Sequence, residues 1–552
     1  MTDRPRRVTL VTDELLGYGR TGGLGTATTF LAVGLGRRGH LVDLLYVGER
    51  PTVDIDADWR ELYAEAGVSI RMLERRNGRT EPSFFARALD VERTLADEPP
   101  DVVIVQDLAA PAYTALRMRQ LGFGFEETLF VVYCHGTRQW ITDVARKTRV
   151  LPGALAIGIV EQASIELADV VVSPSAYLLD WMRTQGWRMQ PTARVIPYLT
   201  RSAATGEAVP PPPDRAPIER IVFFGRLEER KGIRPFAAGL DGVRDLLEGI
   251  ELEFVGGPTE PWPPERVAAL ISDETRRTLG DVGFRTDLDQ RHALDRLRWP
   301  GTLTVMPSLE DNSPNAVYEC LEHSLPFIAS RTGGTAELVA PEDRERVLFT
   351  PTAEGVAIAL RRALTADAFA PARFAFDPDD APDAWDDVLA TPVPQPTTAE
   401  GGDFVLLGEG PRDQLERAQA ASGADIVTCG LVTPSGSEHY FLGDPGALGL
   451  VSNGYGTVAL VRRSLVEDER EPLWPLLARA VLGGATAVSI PRPLVEARAP
   501  STDDALAVVH EFERFLPQGS RLLARLAAGL AAQSTSAKHG ARRRLSKLLA
   551  RR

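Results

Sequence analysis

The chain has 552 residues, of which 44% are hydrophobic and 25% charged, and it carries a net charge of −14. That length exceeds what one core organises and implies two or three domains; the composition is that of soluble globular protein, and the acidic balance excludes a wholly nucleic-acid-binding chain. Three scattered cysteines, Cys134, Cys320 and Cys429, lack ligand spacing and fit a reducing cytoplasm rather than a disulfide scaffold or a zinc site.

The opening residues, Met1 to Arg7, lack the long apolar region of a signal peptide and run straight into a strand at Val8–Val11. No apolar run approaches the ~20 residues needed to cross a bilayer, so a cytoplasmic protein is expected. Gly22-Gly23-Leu24-Gly25 reads as a turn. Thr26 to Arg38 reads as a helix, because Leu24, Ala27, Leu31 and Leu35 recur at three- and four-residue spacing. Gly39 supplies the stop and Leu41–Tyr46 the next strand. Val102–Val105, Leu129–Tyr133 and Val170–Val172 are further short apolar runs. Strand and helix in alternation predict a parallel sheet covered on both faces.

Four consecutive prolines, Pro210 to Pro213, break the pattern and mark a linker at 209–217 between a first domain, 1–208, and a second, 218–390. The second alternating series contains Ile221–Phe224, Leu252–Val255, Leu303–Met306, Phe327–Ala329 and Val347–Phe349, with a short helix at Ala381 to Ala390 closing it. Two such α/β halves leave a cleft between the carboxyl ends of their strands, where ligands bind in this architecture. A second linker, 391–402, precedes a third region, 403–516, with a strand at Phe404–Leu407, a helix at Gln414–Ala421, a strand at Asp425–Cys429 and a glycine-rich segment at Gly449–Gly456. Residues 517–552 hold an apolar helix near Leu522–Ala532 and a basic tail from Lys538.

Two segments carry chemistry. Gly225-Arg226-Leu227-Glu228-Glu229-Arg230-Lys231-Gly232 puts cations just beyond a strand end, and the chain otherwise uses Arg almost throughout, with lysines at Lys147, Lys231, Lys538 and Lys547 alone. A Lys in so Arg-biased a chain marks a place where a compact ammonium is preferred. Pro307 to Leu338 puts Asp311, the polar turn Asn312-Ser313-Pro314-Asn315 and then Glu319 at the start of a helix, Ala316–His323. Helix-start N–H groups form an anion site. Cations for a diphosphate and acids for sugar and ribose hydroxyls are what a nucleotide-sugar site needs. Gly22-Gly23 and Gly333-Gly334 let backbone approach a phosphate or an acceptor closely.

Residues 8 to about 390 resemble family 4 glycosyltransferases, retaining enzymes of the GT-B fold, in which two Rossmann-like domains face each other across a cleft. Gly22-Gly23 resembles the family's glycine loop, and Ala168-Asp169-Val170-Val171-Val172-Ser173-Pro174-Ser175 resembles its strand ending in small polar residues. Val195-Ile196-Pro197 resembles its Ile-Pro-Asn-Gly segment, with Tyr198 and Leu199 in place of Asn-Gly. Arg226 and Lys231 fall on the diphosphate-binding cations. Asp311 and Glu319 fall on paired acids that are ordinarily two glutamates. His135, after the strand Leu129–Tyr133, falls where the family often places a His beside the donor sugar.

The resemblance implies a metal-independent hexosyltransferase without a cofactor, using a nucleotide diphosphate-sugar and a hydroxyl acceptor. In it Arg226, Lys231, His135 and Asp311 are the catalytic candidates. Glu319, Asn312 to Asn315 and the two glycine pairs are the donor-binding candidates. A sugar-nucleotide epimerase or hydrolase of the same fold, or a non-catalytic nucleotide- or glycan-binding pseudo-transferase, are the alternatives. Residues 403–516 resemble the latter half of family 2, GT-A glycosyltransferases, but Gly408-Glu409-Gly410 stands where their metal-holding Asp-x-Asp belongs. A degenerate module serving packing, homo-oligomerisation or acceptor recognition is expected. The basic tail, 538–552, has leucines between its cations; such an end can lie on an anionic membrane surface, and it equally describes a frayed terminus.

Overall fold

The first sheet has seven strands, in the order Val68–Met72, Leu41–Tyr46, Arg7–Thr12, Val102–Gln106, Leu129–Tyr133, Val170–Ser173, Arg194–Val195, and every pairing is parallel. The protein is seen in a computed structural model that describes residues 4–512, apart from 19–21, 50–53, 77, 146–151, 215, 395–398, 400, 451, 500–507 and 509–511. The expected tail at 538–552 and the helix near 522–532 lie outside the described residues. Among the described residues, no helix is long and apolar enough to cross a membrane.

Successive residues of the inner strands feed opposite cores, as the period of two requires. Ile104, Val131 and Val172 pack toward the Gly23–Arg37 helix, whereas Val103, Val105, Val132 and Val171 pack toward the helices Tyr113–Gln120, Pro152–Leu167 and Ala176–Thr184. Both faces are therefore covered, which is why these strands read as unbroken apolar runs. The second sheet repeats the plan with six parallel strands: Asp281–Arg285, Glu251–Val255, Arg220–Phe224, Thr302–Met306, Phe327–Ser330, Leu348–Phe349. In each sheet the chain reverses its direction of travel beside its first strand. The two crevices lie at the carboxyl ends of Arg7–Thr12 and Val102–Gln106, and of Arg220–Phe224 and Thr302–Met306.

The helix expected to close the second unit, Asp380–Leu389, instead lies against the first. Its Trp385 meets Tyr133 edge to face at 5.0 Å, and its Asp386 accepts from Arg38 Nε at 2.8 Å and lies 3.2 Å from His40 Nε2. The proline strap is held where Arg298 donates to the Pro211 carbonyl. Beneath it, a cavity of about 390 Å³ opens between Pro212, Trp299 and Phe369, at the amino ends of the second sheet's strands and away from the crevice.

The third region forms a mixed sheet, Phe404–Leu407, Ala459–Arg462, Ile426–Val432, Glu438–His439, with Ala487–Glu496 running parallel to Ile426–Val432. Its last member is not from the third region: Thr80–Glu81, within the first domain, pairs with Glu438–His439. Apolar contacts extend the junction, with Tyr440 and Leu442 among Phe85, Leu89 and Tyr113, and Leu121 among Leu415, Ala418 and Leu460. Arg492 spans it to reach both oxygens of Glu92, whose side chain is 2% exposed. The sequence boundary at 403 thus separates chain segments but not packed bodies, and the module is a fixed extension of the first domain.

Candidate active site

The donor-side residues come from two strand ends. Phe224 leads into Gly225 and the short turn Glu229–Lys231, and Met306 leads into Pro307 and Asp311. Gly232 closes the turn at φ 78°, and a Cβ there would lie 1.8 Å from the Pro307 carbonyl oxygen, so only glycine lets the two strand ends meet. Lys231 Nζ, brought in this way, is bonded to Asp311 Oδ2. Arg230 reaches Asp311 Oδ1 at 3.3 Å, Glu228 at 3.0 Å and the Glu310 carbonyl at 3.2 Å. Ser308 Oγ adds a bond to Asp311 Oδ2 at 3.2 Å. Burial pushes the Asp311 carboxyl up, but Lys231 and Arg230 outweigh it and hold the group at about 2. Burial lowers the Lys231 ammonium against the pull of Asp311.

Lys231 and Asp311, expected to meet different parts of a donor, grip each other, and Arg230 is the third member, with 16% of its side chain exposed. Arg226 is the accessible cation, 57% exposed and 3.9 Å from Glu228.

The first domain's side of the cleft is built from buried, hydrogen-bonded groups around His135. His135 follows the wholly buried strand Leu129–Tyr133. Its backbone N–H donates to Asp107 Oδ1 at 2.9 Å, its carbonyl accepts from Asn312 Nδ2 at 3.3 Å, and its Nδ1 lies 2.9 Å from the Tyr198 hydroxyl. Its Nε2 is buried with no protein partner. Burial pulls the imidazole down to about 3, so it is neutral at physiological pH. Asp107 takes the N–H groups of Leu108, His135 and Gly136, and burial still raises it to about 6. Glu161, fully buried, takes those of Ala109 and Arg138 and is raised by burial to about 8.

Of the other expected residues, Asn312, Asn315 and Gly23 serve the junction between the lips. Asn312 Oδ1 accepts from Ser175 Oγ, Ser313 Oγ lies 3.1 Å from the Tyr318 hydroxyl, and Asn315 Nδ2 donates to the Gly23 carbonyl at 3.2 Å. Pro314 caps the Asn315–Glu322 helix from an extended backbone. A Cβ on Gly23 would come within 2.4 Å of Asn315 Nδ2, so this glycine serves close approach of the two domains. Gly22 does not offer its N–H to an outside anion, because Glu14 Oε2 accepts it at 2.8 Å together with that of Gly25 at 3.3 Å. Gly333 and Gly334 pack under the loop: their Cβ atoms would lie 1.8 Å from the Asp311 carbonyl oxygen and 2.0 Å from that of Asn312. Glu319 is half-buried and accepts from Gln290 Nε2 at 2.6 Å; burial raises it to about 7.

Sequence reading missed Asp107, Glu14 and the role of Tyr198. Asp107 and Glu14 stand just past carboxyl strand ends, the same signal that singled out Arg226 and Asp311. Tyr198 was noted as a departure, yet nothing in the sequence shows that its ring stacks on His135, with centroids 5.5 Å apart.

The arrangement places an ion cluster and an accessible arginine on one lip and a neutral imidazole on the other. Comparison with known proteins bears on what it serves. Solved structures with a similar course include sucrose-phosphate synthase from Thermosynechococcus elongatus, with 18% identity, a TM-score of 0.49 and coverage of 70% of this chain and 96% of that one. WaaG, a glycosyltransferase involved in lipopolysaccharide biosynthesis, gives 15%, 0.49, 69% and 99%. The catalytic domain of starch synthase IV from Arabidopsis thaliana, bound to ADP and acarbose, gives 13%, 0.48, 71% and 96%. No curated relative matches the chain. Residues 22–198 match the model of the glycosyl transferase 4-like domain, and residues 218–366 match that of glycosyl transferases group 1. The two matches span more than half of the chain, in order, across both parallel-sheet units, and leave 403–516 unassigned. The chain belongs to the family 4-like glycosyltransferases of the GT-B fold.

Proposed function

We propose that this glycosyltransferase moves a hexosyl group from a nucleotide diphosphate-sugar to a hydroxyl acceptor with retention of the anomeric configuration and without a metal ion. Arg226 and Lys231 meet the diphosphate, whose charge grows as the glycosidic bond breaks, so fixed cations lower the barrier rather than only tightening binding. Asp311, kept ionised, accepts from a donor-sugar hydroxyl while Lys231 turns toward the phosphate. Glu319 exchanges Gln290 for a ribose hydroxyl. The acceptor oxygen bonds to the anomeric carbon on the face from which the diphosphate departs, and the departing phosphate oxygen takes the acceptor's proton.

The observation that carries the reading is the buried Nε2 of His135, without a protein partner, beside the loop of Asp311 and Asn312. A buried polar atom left unpaired is costly and marks a place where a ligand completes the bonding. Proton NMR of the product's anomeric signal tests the stereochemistry: the donor's configuration is expected, and the opposite one overturns the mechanism. The bond between Lys231 and Asp311 favours one second reading, a pseudo-transferase that binds nucleotide sugar without breaking it. Donor binding without release of nucleotide diphosphate, across a panel of acceptors, would select it.

A further inference from the structure

Tyr198 stands where the family pattern has Asn, and it does more than fill the space. The residue is 4% exposed, its ring stacks on His135 at an interplanar angle of 25°, and its backbone N–H donates to the Tyr318 hydroxyl at 3.0 Å. Tyr318 in turn meets Ser313 in the donor-side loop, so Tyr198 is anchored from the opposite lip of the cleft. Its own hydroxyl has His135 Nδ1 within reach at 2.9 Å.

Who donates in that contact decides what His135 offers to a ligand. Nδ1–H donating to the phenol oxygen leaves the phenol proton buried with no acceptor. Phenol O–H donating to Nδ1 satisfies both groups and puts the imidazole proton on Nε2, the atom that lacks a protein partner. The backbone of His135 is already fixed on both sides, by Asp107 and by Asn312, leaving ring orientation and proton position to Tyr198.

We infer that Tyr198 is a positioning residue that holds His135 as its Nε2–H tautomer, so that the imidazole donates a hydrogen bond into the donor-sugar subsite. The inference rests on the proposed transfer reaction for its consequence but not for its geometry. A neutral N–H aimed at a sugar oxygen orients the donor without adding a positive charge beside an anomeric centre that is itself becoming positive. The imidazole stays neutral because burial holds its titration near 3.

The test uses the full-length protein with ¹⁵N-labelled histidine, first without any donor. Long-range ¹H–¹⁵N correlation of His135, assigned by its loss in His135→Gln, is expected to show a protonated Nε2 and a bare Nδ1. The opposite pattern in the wild type overturns the inference, whether or not the enzyme turns over. Tyr198→Phe keeps the stacked ring and removes only the hydroxyl. Mixed tautomers are expected in this variant, with kcat lowered about 10- to 100-fold and donor KM changed less than about threefold, the pattern of lost orientation. An unchanged tautomer, or a loss confined to KM, overturns it. If the wild type shows the Nε2–H form but no donor is consumed, the tautomer assignment stands and the transfer reaction fails.

Discussion

The two lips of the cleft are made of opposite materials. The donor lip holds its charges ionised and concentrated: Asp311 at about 2 against Lys231 and Arg230, with Arg226 accessible beside them. The first domain's lip holds titratable groups that burial displaces: His135 pulled down to about 3 and so neutral, Asp107 raised to about 6 and Glu161 to about 8. In the proposed reaction fixed charge would meet the leaving diphosphate and the neutral His135 imidazole the sugar, where added positive charge would oppose bond breaking. The junction with the third region has neither character, being a sheet edge and apolar contacts joined by the ion pairs Arg492–Glu92 and Arg93–Glu438.

Removing charge from the donor lip breaks the contrast most severely. Lys231→Ala is expected to lower kcat roughly 10²- to 10³-fold, the cost of losing a fixed group that meets developing charge. Nucleotide diphosphate release measures it; a drop in melting temperature with unchanged kcat would make the cluster merely structural. The third-region junction is expected to respond the other way. Arg492→Met leaves Glu92 buried without its cation and should cost about 2 kcal/mol of stability, less than a fully enclosed pair because Arg492 is partly exposed. Urea titration reads that loss, and kcat/KM should not move.

The lip around His135 makes a signed pH prediction. His135 is depressed below its unfolded value near 6.5, so between about 3 and 6.5 the unfolded chain binds the extra proton and this group's contribution to stability falls as pH falls. Asp107 is raised above its unfolded value, so between about 4 and 6 the folded chain binds the proton and its contribution moves oppositely. The neighbouring Tyr133 and Tyr198 stay protonated throughout this range, and Asp311 stays ionised. His135→Asn removes one arm. The variant should therefore gain stability relative to the wild type as pH drops from 6.5 toward 4, by up to about 1.4 kcal/mol per pH unit. Parallel melting curves of the two proteins across that range check the sign. The smallest effect sharpens the junction between the lips: in Gly23→Ala the new Cβ displaces Asn315, and the lost bond should cost about 0.5–1 kcal/mol, seen as a few-fold rise in donor KM.

How far the sequence reached depends on the kind of contact. The parallel sheets were legible because doubly covered strands must be apolar on both faces, as Val102–Gln106 and Leu129–Tyr133 are. Arg226, Lys231, His135 and Asp311 were singled out by their places past strand ends together with the family resemblance. Pairings across the chain were not. Arg230 is as polar as its neighbours, and only the fold places Leu309 and Glu310 over it, with Leu309 N–H on the Arg230 carbonyl at 2.8 Å. Thr80–Glu81 is too short to show any period, so its place in the third sheet follows from tertiary docking alone. Gly22-Gly23 was found as a loop but not as one whose N–H groups Glu14 already takes, because that bond closes only when the chain folds back.

The most direct test of the account is nucleotide diphosphate release from a panel of nucleotide diphosphate-sugars by the wild type and Lys231→Ala. Slow release from one donor, reduced at least about 100-fold in the variant, is the result the account expects. Equal release by the two proteins, or none from any donor by the wild type, would contradict it.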